Sequence, residues 1–192
     1  MRKILLPLAA LLLGAGCVVQ SLYPWLADDT RVDDPALLGG WYDAGQEHAA
    51  FFAQSTNSSD FAYSVLLVQK RNETSRFMAN LHRIDNVLLL VAGPEEQEDL
   101  GTYVRLPGHL LFKAAFAGDS LELFEVDLDS FGARAAQANL AMLAVASTNE
   151  KPSVLTATTA DVEAFVRSQL ADPTFFAEKP LYSFRKLPDA AD

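Results

Sequence analysis

The stretch at residues 77–91 reads FMANLHRIDNVLLLV and predicts a β-hairpin. In its first part, FMANLH, apolar residues alternate with other residues at the period of a strand with one buried face. Asp85-Asn86 marks a tight turn. The run Val87–Val91 is apolar throughout, which indicates either a strand covered on both faces or a stave of a barrel.

Similar short segments recur on both sides of this hairpin. They predict further strands at Trp41–Asp43, Ala49–Ala53, Phe61–Val68, Leu110–Phe116, Ser120–Val126, Ser153–Thr158 and Leu181–Leu187. Successive strands with short turns favour an antiparallel meander, and open sheet edges favour closure. The sequence therefore predicts a mainly β, β-rich α+β fold, whose meander forms either a barrel or a sandwich.

Two helices are expected in the C-terminal half, both before the last strand. Thr159–Leu170 keeps helical spacing, with Thr158 or Thr159 as N-cap and Pro173 after its end. An earlier helix starts at Asp129 or Ser130 and places on one face Phe131, Ala135, Ala138 and Met142. Near the N-terminus, Asp34-Pro35 predicts a short helical turn, with Asp as N-cap and Pro first.

The N-terminus carries the most specific sequence signal. Met1-Arg2-Lys3 is a basic start, Ile4–Leu13 is apolar, and Gly14-Ala15-Gly16 leads into Cys17, which is the chain's sole cysteine. This is the layout of a secretory signal with a small-residue cleavage site. The apolar run is much shorter than the ~20 residues that a transmembrane helix needs.

With Cys17 at the cleavage point, the chain resembles a bacterial lipoprotein precursor. Ala15 and Gly16 match that pattern, whereas Gly14 stands where the family usually has Leu. The resemblance implies a diacylglycerol on the Cys17 sulfur, cleavage before Cys17 and acylation of its new amino group. Val18 follows rather than Asp, which resembles lipoproteins of the outer membrane that face the periplasm in Gram-negative cells. The alternative is an ordinary secreted protein with Cys17 near a conventional cleavage site.

These features divide the chain into four segments. Residues 1–16 are a signal peptide, 17–35 a lipidated N-terminus and tether, 36–188 a globular β-rich domain, and 189–192 a frayed tail. Tyr23 and Trp25 lie so near the anchor that they rest either at the membrane interface or on the domain. If lipidated, Cys17 leaves no free thiol, which excludes disulfides, thiolate metal sites and cysteine catalysis.

Charge argues against nucleic acid as a partner. The chain has 15 basic and 25 acidic residues, and two of the basic ones, Arg2 and Lys3, belong to the signal segment. Nucleic-acid binding depends on basic contacts to phosphate, and anionic headgroups attract basic surfaces. We expect the membrane contact to come from the lipid anchor.

The sequence also resembles lipocalin-like barrels at one short motif. Leu37-Leu38-Gly39-Gly40-Trp41 is similar to the Gly-x-Trp of their first strand, where the Trp plugs one end, and a helix before the last strand fits that fold. The chain further resembles uncharacterised bacterial envelope lipoproteins with Ser-Leu-x-Pro, here Ser21–Pro24, after the cysteine. That resemblance implies no activity.

Patterns of catalysis and metal binding are missing from the sequence. His48, His82 and His109 lack the local spacing of zinc ligands, although His109 begins a strand after Pro107-Gly108. No nucleophile elbow is present, so a hydrolase would need His82 or His109 beside a carboxylate and a nucleophile in one cleft. The acidic run Glu95–Asp99 is typical of a solvated loop. We therefore predict no enzyme activity, no metal and no cofactor.

The sequence contains twelve phenylalanines, which are candidates for core or pocket residues. Inward rings either fill a small barrel or line a pocket for an apolar ligand. The candidate pocket residues are Trp41, Phe61, Phe77 and Phe112. The expectation is a lipid-anchored envelope lipoprotein that binds a small hydrophobic molecule; the alternative is a protein-interaction or scaffold module with an envelope protein as partner.

Overall fold

A computed structural model describes residues 19–43, 45, 48–55, 62–69, 73–95, 108–144 and 153–188. Strands and helices alternate unevenly along these residues, with strands predominating. The strands are β1 (Gln20–Ser21), β2 (Gly39–Asp43), β3 (His48–Gln54), β4 (Ala62–Val68), β5 (Thr74–Ile84), β6 (Val87–Pro94), β7 (Leu110–Ala117), β8 (Ser120–Glu125), β9 (Met142–Ala144), β10 (Ser153–Leu155) and β11 (Tyr182–Lys186). The helices are α1 (Leu128–Gln137), α2 (Thr159–Gln169) and two 3-10 helices, η1 (Asp28–Thr30) and η2 (Pro35–Leu37).

Eight of the strands form a closed antiparallel barrel in the order β11-β2-β3-β4-β5-β6-β7-β8. Closure comes from β11, which pairs with β2 on one side and with β8 on the other. The predicted meander of mainly β structure is therefore confirmed in its barrel form, consistent with a lipocalin-like barrel, and the sandwich is excluded. The hairpin at residues 77–91 joins β5 to β6 through Asp85, whose φ of 52° lies in the left-handed region that Asp tolerates.

The apolar run of β6 is buried on both faces, as its sequence predicts. Leu88 and Leu90 point into the barrel lumen, whereas Leu89 and Val91 point outward and are still buried. Adjacent side chains of a strand point to opposite faces, so an unbroken apolar run requires a cover on each side.

That cover is an outer layer formed by residues 19–31, the two helices and a small sheet of β1, β10 and β9. Its core is built from aromatic edge contacts. Trp25 meets Phe131 at a centroid distance of 6.1 Å, Phe131 meets Phe165 at 5.9 Å, and Phe165 meets Phe175 at 5.8 Å. Each of these arrangements is edge-to-face, a favoured geometry for buried rings.

The prediction of a tether at residues 17–35 is wrong for its described part. Val19, Trp25 and Leu26 are buried in the outer layer, and β1 pairs in parallel with β10. The main chain of Ser21 exchanges two hydrogen bonds, of 3.0 and 2.8 Å, with that of His109. Trp25 therefore packs on the domain, because its ring fills the outer core while its indole N–H reaches the His109 carbonyl.

The helices agree with prediction in one case and differ in the other. Helix α2 is capped by Thr158, whose side chain accepts from the Asp161 amide at 3.3 Å. Helix α1 is capped by Asp127 rather than by Asp129 or Ser130. It ends at Gln137, since Asn139 takes a φ of 55° and turns the chain, so the predicted helical face does not reach Met142 in β9.

Candidate ligand cavity in the barrel

Trp41 closes one end of the barrel. Its indole N–H donates to the Leu37 carbonyl at 2.8 Å, its ring meets Phe116 edge-on at 6.2 Å, and the Lys186 ammonium lies 4.8 Å from the ring centroid. Leu37 lies in η2, which begins where Asp34 accepts from the Ala36 amide. This plugged end is where β2 begins and where the β5–β6 and β7–β8 turns lie.

Among the described residues, an apolar cavity of about 250 Å³ occupies the lumen toward the other end, where it is partly open. At this open end β2, β4 and β6 end, and β3, β5 and β7 begin. The lining residues are Ala50, Phe52, Leu67, Phe77, Leu90, Ala92, Gly93, Pro94, Gly108, Leu110, Phe112, Leu123, Tyr182 and Phe184. Only Tyr182 among them has a side-chain polar atom, so the cavity suits an apolar ligand.

Two of the four candidate pocket residues line this cavity. Phe77 and Phe112 reach it from β5 and β7. Trp41 belongs to the same lumenal core but forms the plug rather than the wall. Phe61 and the predicted lipidation site Cys17 lie outside the described residues.

A group of polar side chains faces the lumen beyond the cavity, at one side of the open end. We call Asp43, His48, Glu125 and Tyr182 the polar quadrant, because β8, β11, β2 and β3 are consecutive in the barrel and each contributes one of them. Directly paired residues share a sheet face, and Glu125 pairs with lumenal Phe112 while His48 pairs with Asp43.

Some polar atoms of the polar quadrant have hydrogen-bond partners and others do not. The Asp43 carboxylate accepts from the Gly45 amide at 2.9 Å and from the Ser183 amide at 3.1 Å. The His48 ring lies 5.5 Å from that of Tyr182. Among the described residues, Glu125 Oε2 and His48 Nδ1 are buried and have no hydrogen-bond partner.

Burial shifts two titrations in the polar quadrant. It raises the pKa of Glu125, to which the Asp127 charge adds. Burial also raises the pKa of Tyr182, and the charges of Glu125 and Asp43 raise it further. Both shifts have desolvation as their largest cause, which favours the neutral form of a buried acid. The phenol of Tyr182 therefore remains protonated at neutral pH.

The other two histidines join the outer layer to the barrel and lie outside the cavity. The His82 ring Nδ1 is 2.8 Å from the Thr30 hydroxyl, and burial lowers the pKa of His82 to about 4. Burial likewise lowers the pKa of His109, whose carbonyl accepts from Trp25. Both rings are therefore neutral at neutral pH, and in the part of the chain that the structure describes no group of three or more His, Cys, Asp or Glu could hold a metal ion.

Comparisons with known proteins found no matching family model, no matching curated protein and no matching solved structure. Within the described residues, neither helix has the length and apolar character to cross a membrane.

The polar quadrant is absent from the predicted site residues. Asp43 and His48 are near neighbours in sequence, but Glu125 and Tyr182 join them only when β11 closes the barrel. One available signal was the alternation of β8, where Glu125 continues the lumenal series of Leu121 and Leu123.

Proposed function

We propose that this protein is a lipid-anchored envelope barrel that binds a small apolar molecule in its lumen. The observation that carries the proposal is the apolar cavity between the Trp41 plug and the open end. Apolar cavities stay dry and bind apolar molecules, and a cavity of roughly 150 Å³ holds benzene. By proportion, about 250 Å³ suits a ligand of about ten carbon atoms.

The energy available from such a ligand is moderate. Each methylene transferred from water contributes about 0.8 kcal/mol, so ten carbons give at most about 8 kcal/mol before the cost of association. The cavity is already formed, so little of this is spent on opening it. A medium-length acyl chain or a compact ring compound fits these limits.

The test is binding of decanol to a chain that begins at Val18, which keeps every residue that the structure describes. Titration calorimetry should show one site with a negative heat-capacity change. Ala92→Phe places a ring in the cavity and should abolish binding, whereas Ala115→Phe, on the exposed outer face of β7, should leave it unchanged. The milder Ala92→Leu guards against misfolding and should weaken binding.

Absence of decanol binding by the folded wild-type chain would overturn the pocket. Native mass spectrometry of protein from cell envelopes gives a second readout, in which a small apolar mass should be released on unfolding.

The anchor is tested separately at Cys17. Expression of the full chain in bacteria should give an N-terminal peptide that starts at Cys17 and carries acyl chains. Cys17→Ser should remove the acyl mass and release the protein from membranes on washing with salt. An unmodified N-terminus at another position would favour an ordinary secreted protein.

A second candidate function, interaction with an envelope protein, is supported by one exposed patch. Phe51 and Leu187 both lie over Gly40 on the outer barrel face, and Tyr42 follows on β2. Phe51 and Tyr42 are each 42% exposed, and exposed apolar clusters mark interaction surfaces. If Phe51→Ser abolishes cross-linking of the full chain to an envelope protein while decanol binding persists, the interaction module is favoured.

A further inference from the structure

We propose that the polar quadrant binds the ammonium head of a single-chain amphiphile whose tail fills the lumenal cavity. This inference rests on the proposed function, because it requires a ligand in the cavity. It adds the chemistry of the head: a hydrogen-bond donor that carries positive charge, rather than a carboxylate or a phosphate.

The polar quadrant, which would bind the head, lies next to the lumenal cavity, which would bind the tail, on the side of the open end. On β8, Glu125 is the next lumenal residue after Leu123, and on β3 His48 is the next after Ala50. Leu123 and Ala50 both line the cavity. Tyr182 belongs to both sites, since it lines the cavity, stacks on the Phe184 ring and meets the His48 ring at a tilt of 59°. A chain about ten carbons long that enters from the open end therefore leaves its head beside these side chains.

An unsatisfied carboxylate oxygen in the polar quadrant favours a donor. Among the described residues, Glu125 Oε2 and His48 Nδ1 are buried without a hydrogen-bond partner. Buried polar atoms in native proteins are nearly always bonded, and leaving one unbonded costs about 1–3 kcal/mol. An ammonium group has three N–H donors and no acceptor, so it complements the carboxylate oxygen of Glu125.

Charge selects the ammonium over an anionic head. Asp43 is only 4% exposed, and two backbone amides orient its carboxylate. Glu125 has no salt bridge to a described Lys or Arg. A carboxylate or phosphate head would meet these two acids at close range, where like charges disfavour each other. The raised pKa of Glu125 agrees, because a buried cation would restore its ionised form.

Among the described residues, the side of the mouth opposite the polar quadrant is apolar. Leu67, Phe77, Pro94 and Leu110 line the cavity at the ends of β4 to β7. A charged head on that side would lose its water without gaining a polar partner from these described residues. The polar quadrant is thus the proposed site for the head, and the barrel strands fix the positions of its side chains.

Three probes with the same ten-carbon tail separate head from tail: decylamine, decanol and decanoate. Calorimetry on the chain that begins at Val18 should rank decylamine about tenfold tighter than decanol, and decanoate weakest, since a charge-assisted hydrogen bond contributes about 1.5–3 kcal/mol. Glu125→Gln removes the charge at constant shape. It should bring decylamine to within about twofold of decanol.

Glu122→Gln is the matched control, because Glu122 lies on the same strand and faces outward. It should preserve the full preference for the amine. Equal or tighter binding of decanoate, or an amine preference that survives Glu125→Gln, overturns the head site while the pocket stands. If none of the three probes binds the folded chain, the proposed function fails as well.

Discussion

The barrel lumen and the outer layer are both apolar, yet they differ in how completely they are filled. The outer layer is a chain of edge-packed rings from Trp25 to Phe175, with residues buried on every side. The lumen keeps a cavity of about 250 Å³ beyond the Trp41 plug. Strands β5, β6 and β7 contribute side chains to both regions, so the same wall of the barrel borders a filled core on one face and the cavity on the other.

This difference suggests that the outer layer provides stability and the lumen provides binding. Protein interiors are packed as densely as organic crystals, so an open lumen forgoes dispersion contacts that a filled core would make. The outer layer supplies an additional core outside the barrel. We therefore expect substitutions in the outer layer to act on stability, and substitutions in the lumen to act on binding with a smaller effect on stability.

The largest effect is expected for Trp25→Ala. It removes a fully buried ring from the outer core and the N–H bond to His109, which should lower the free energy of unfolding by roughly 3–5 kcal/mol. Urea denaturation measures the change. Tyr23→Ala, at a side chain that is 50% exposed, is the control and should have little effect. A near-neutral Trp25→Ala would show that the outer layer is dispensable.

Phe112→Ala should cost less, about 2 kcal/mol, although the residue is also buried. One side of its ring already borders the cavity, so fewer contacts are lost than in a solid core. The enlarged cavity should shift ligand preference toward longer chains than decanol. A loss of stability as large as that of Trp25→Ala would contradict the comparison.

Acid should weaken the joint between the two regions by about 2 kcal/mol between about pH 7.5 and pH 5. His82 titrates near 6.5 when unfolded and near 4 when folded, so the unfolded state binds more protons in between. Stability therefore falls as pH decreases from about 6.5 to about 4. The charged residues that act on His82 are Arg31, Asp28, Glu163 and Asp29.

Urea midpoints at the two pH values test this directly. His82→Asn removes the titration and should reduce the pH dependence by most of that amount. If the wild type and His82→Asn respond equally to acid, carboxylates rather than His82 control the response.

The smallest effect is expected at the cap of α2. Thr158→Ala removes the side chain that accepts from the Asp161 amide and should cost about 1 kcal/mol. Thr158→Ser keeps the hydroxyl and should retain most of the stability. An unchanged denaturation midpoint for Thr158→Ala would mean that packing of Phe165 and Val166 alone holds the helix.

Local patterns in the sequence identified the hairpins and α2, because their signals lie within a few adjacent residues. The period of β5, the double burial of β6 and the Thr158 cap are all of this kind. The outer layer was missed, since β1 has only two residues and its partner β10 lies far along the chain. The polar quadrant was missed for a similar reason: barrel closure brings Tyr182 to Asp43 and His48, and no local spacing encodes that closure.

The burial of Val19 limits how a lipid-modified form could move. Cys17 lies only two residues before Val19, and two residues span at most about 7 Å. A lipid at Cys17 would therefore hold the domain through a very short linker rather than a long flexible one. The domain would then not tumble independently and would diffuse together with the bilayer. The Gln20 side chain lies against Gly108 of the cavity wall, so such an anchor would join the domain on that side of the cavity.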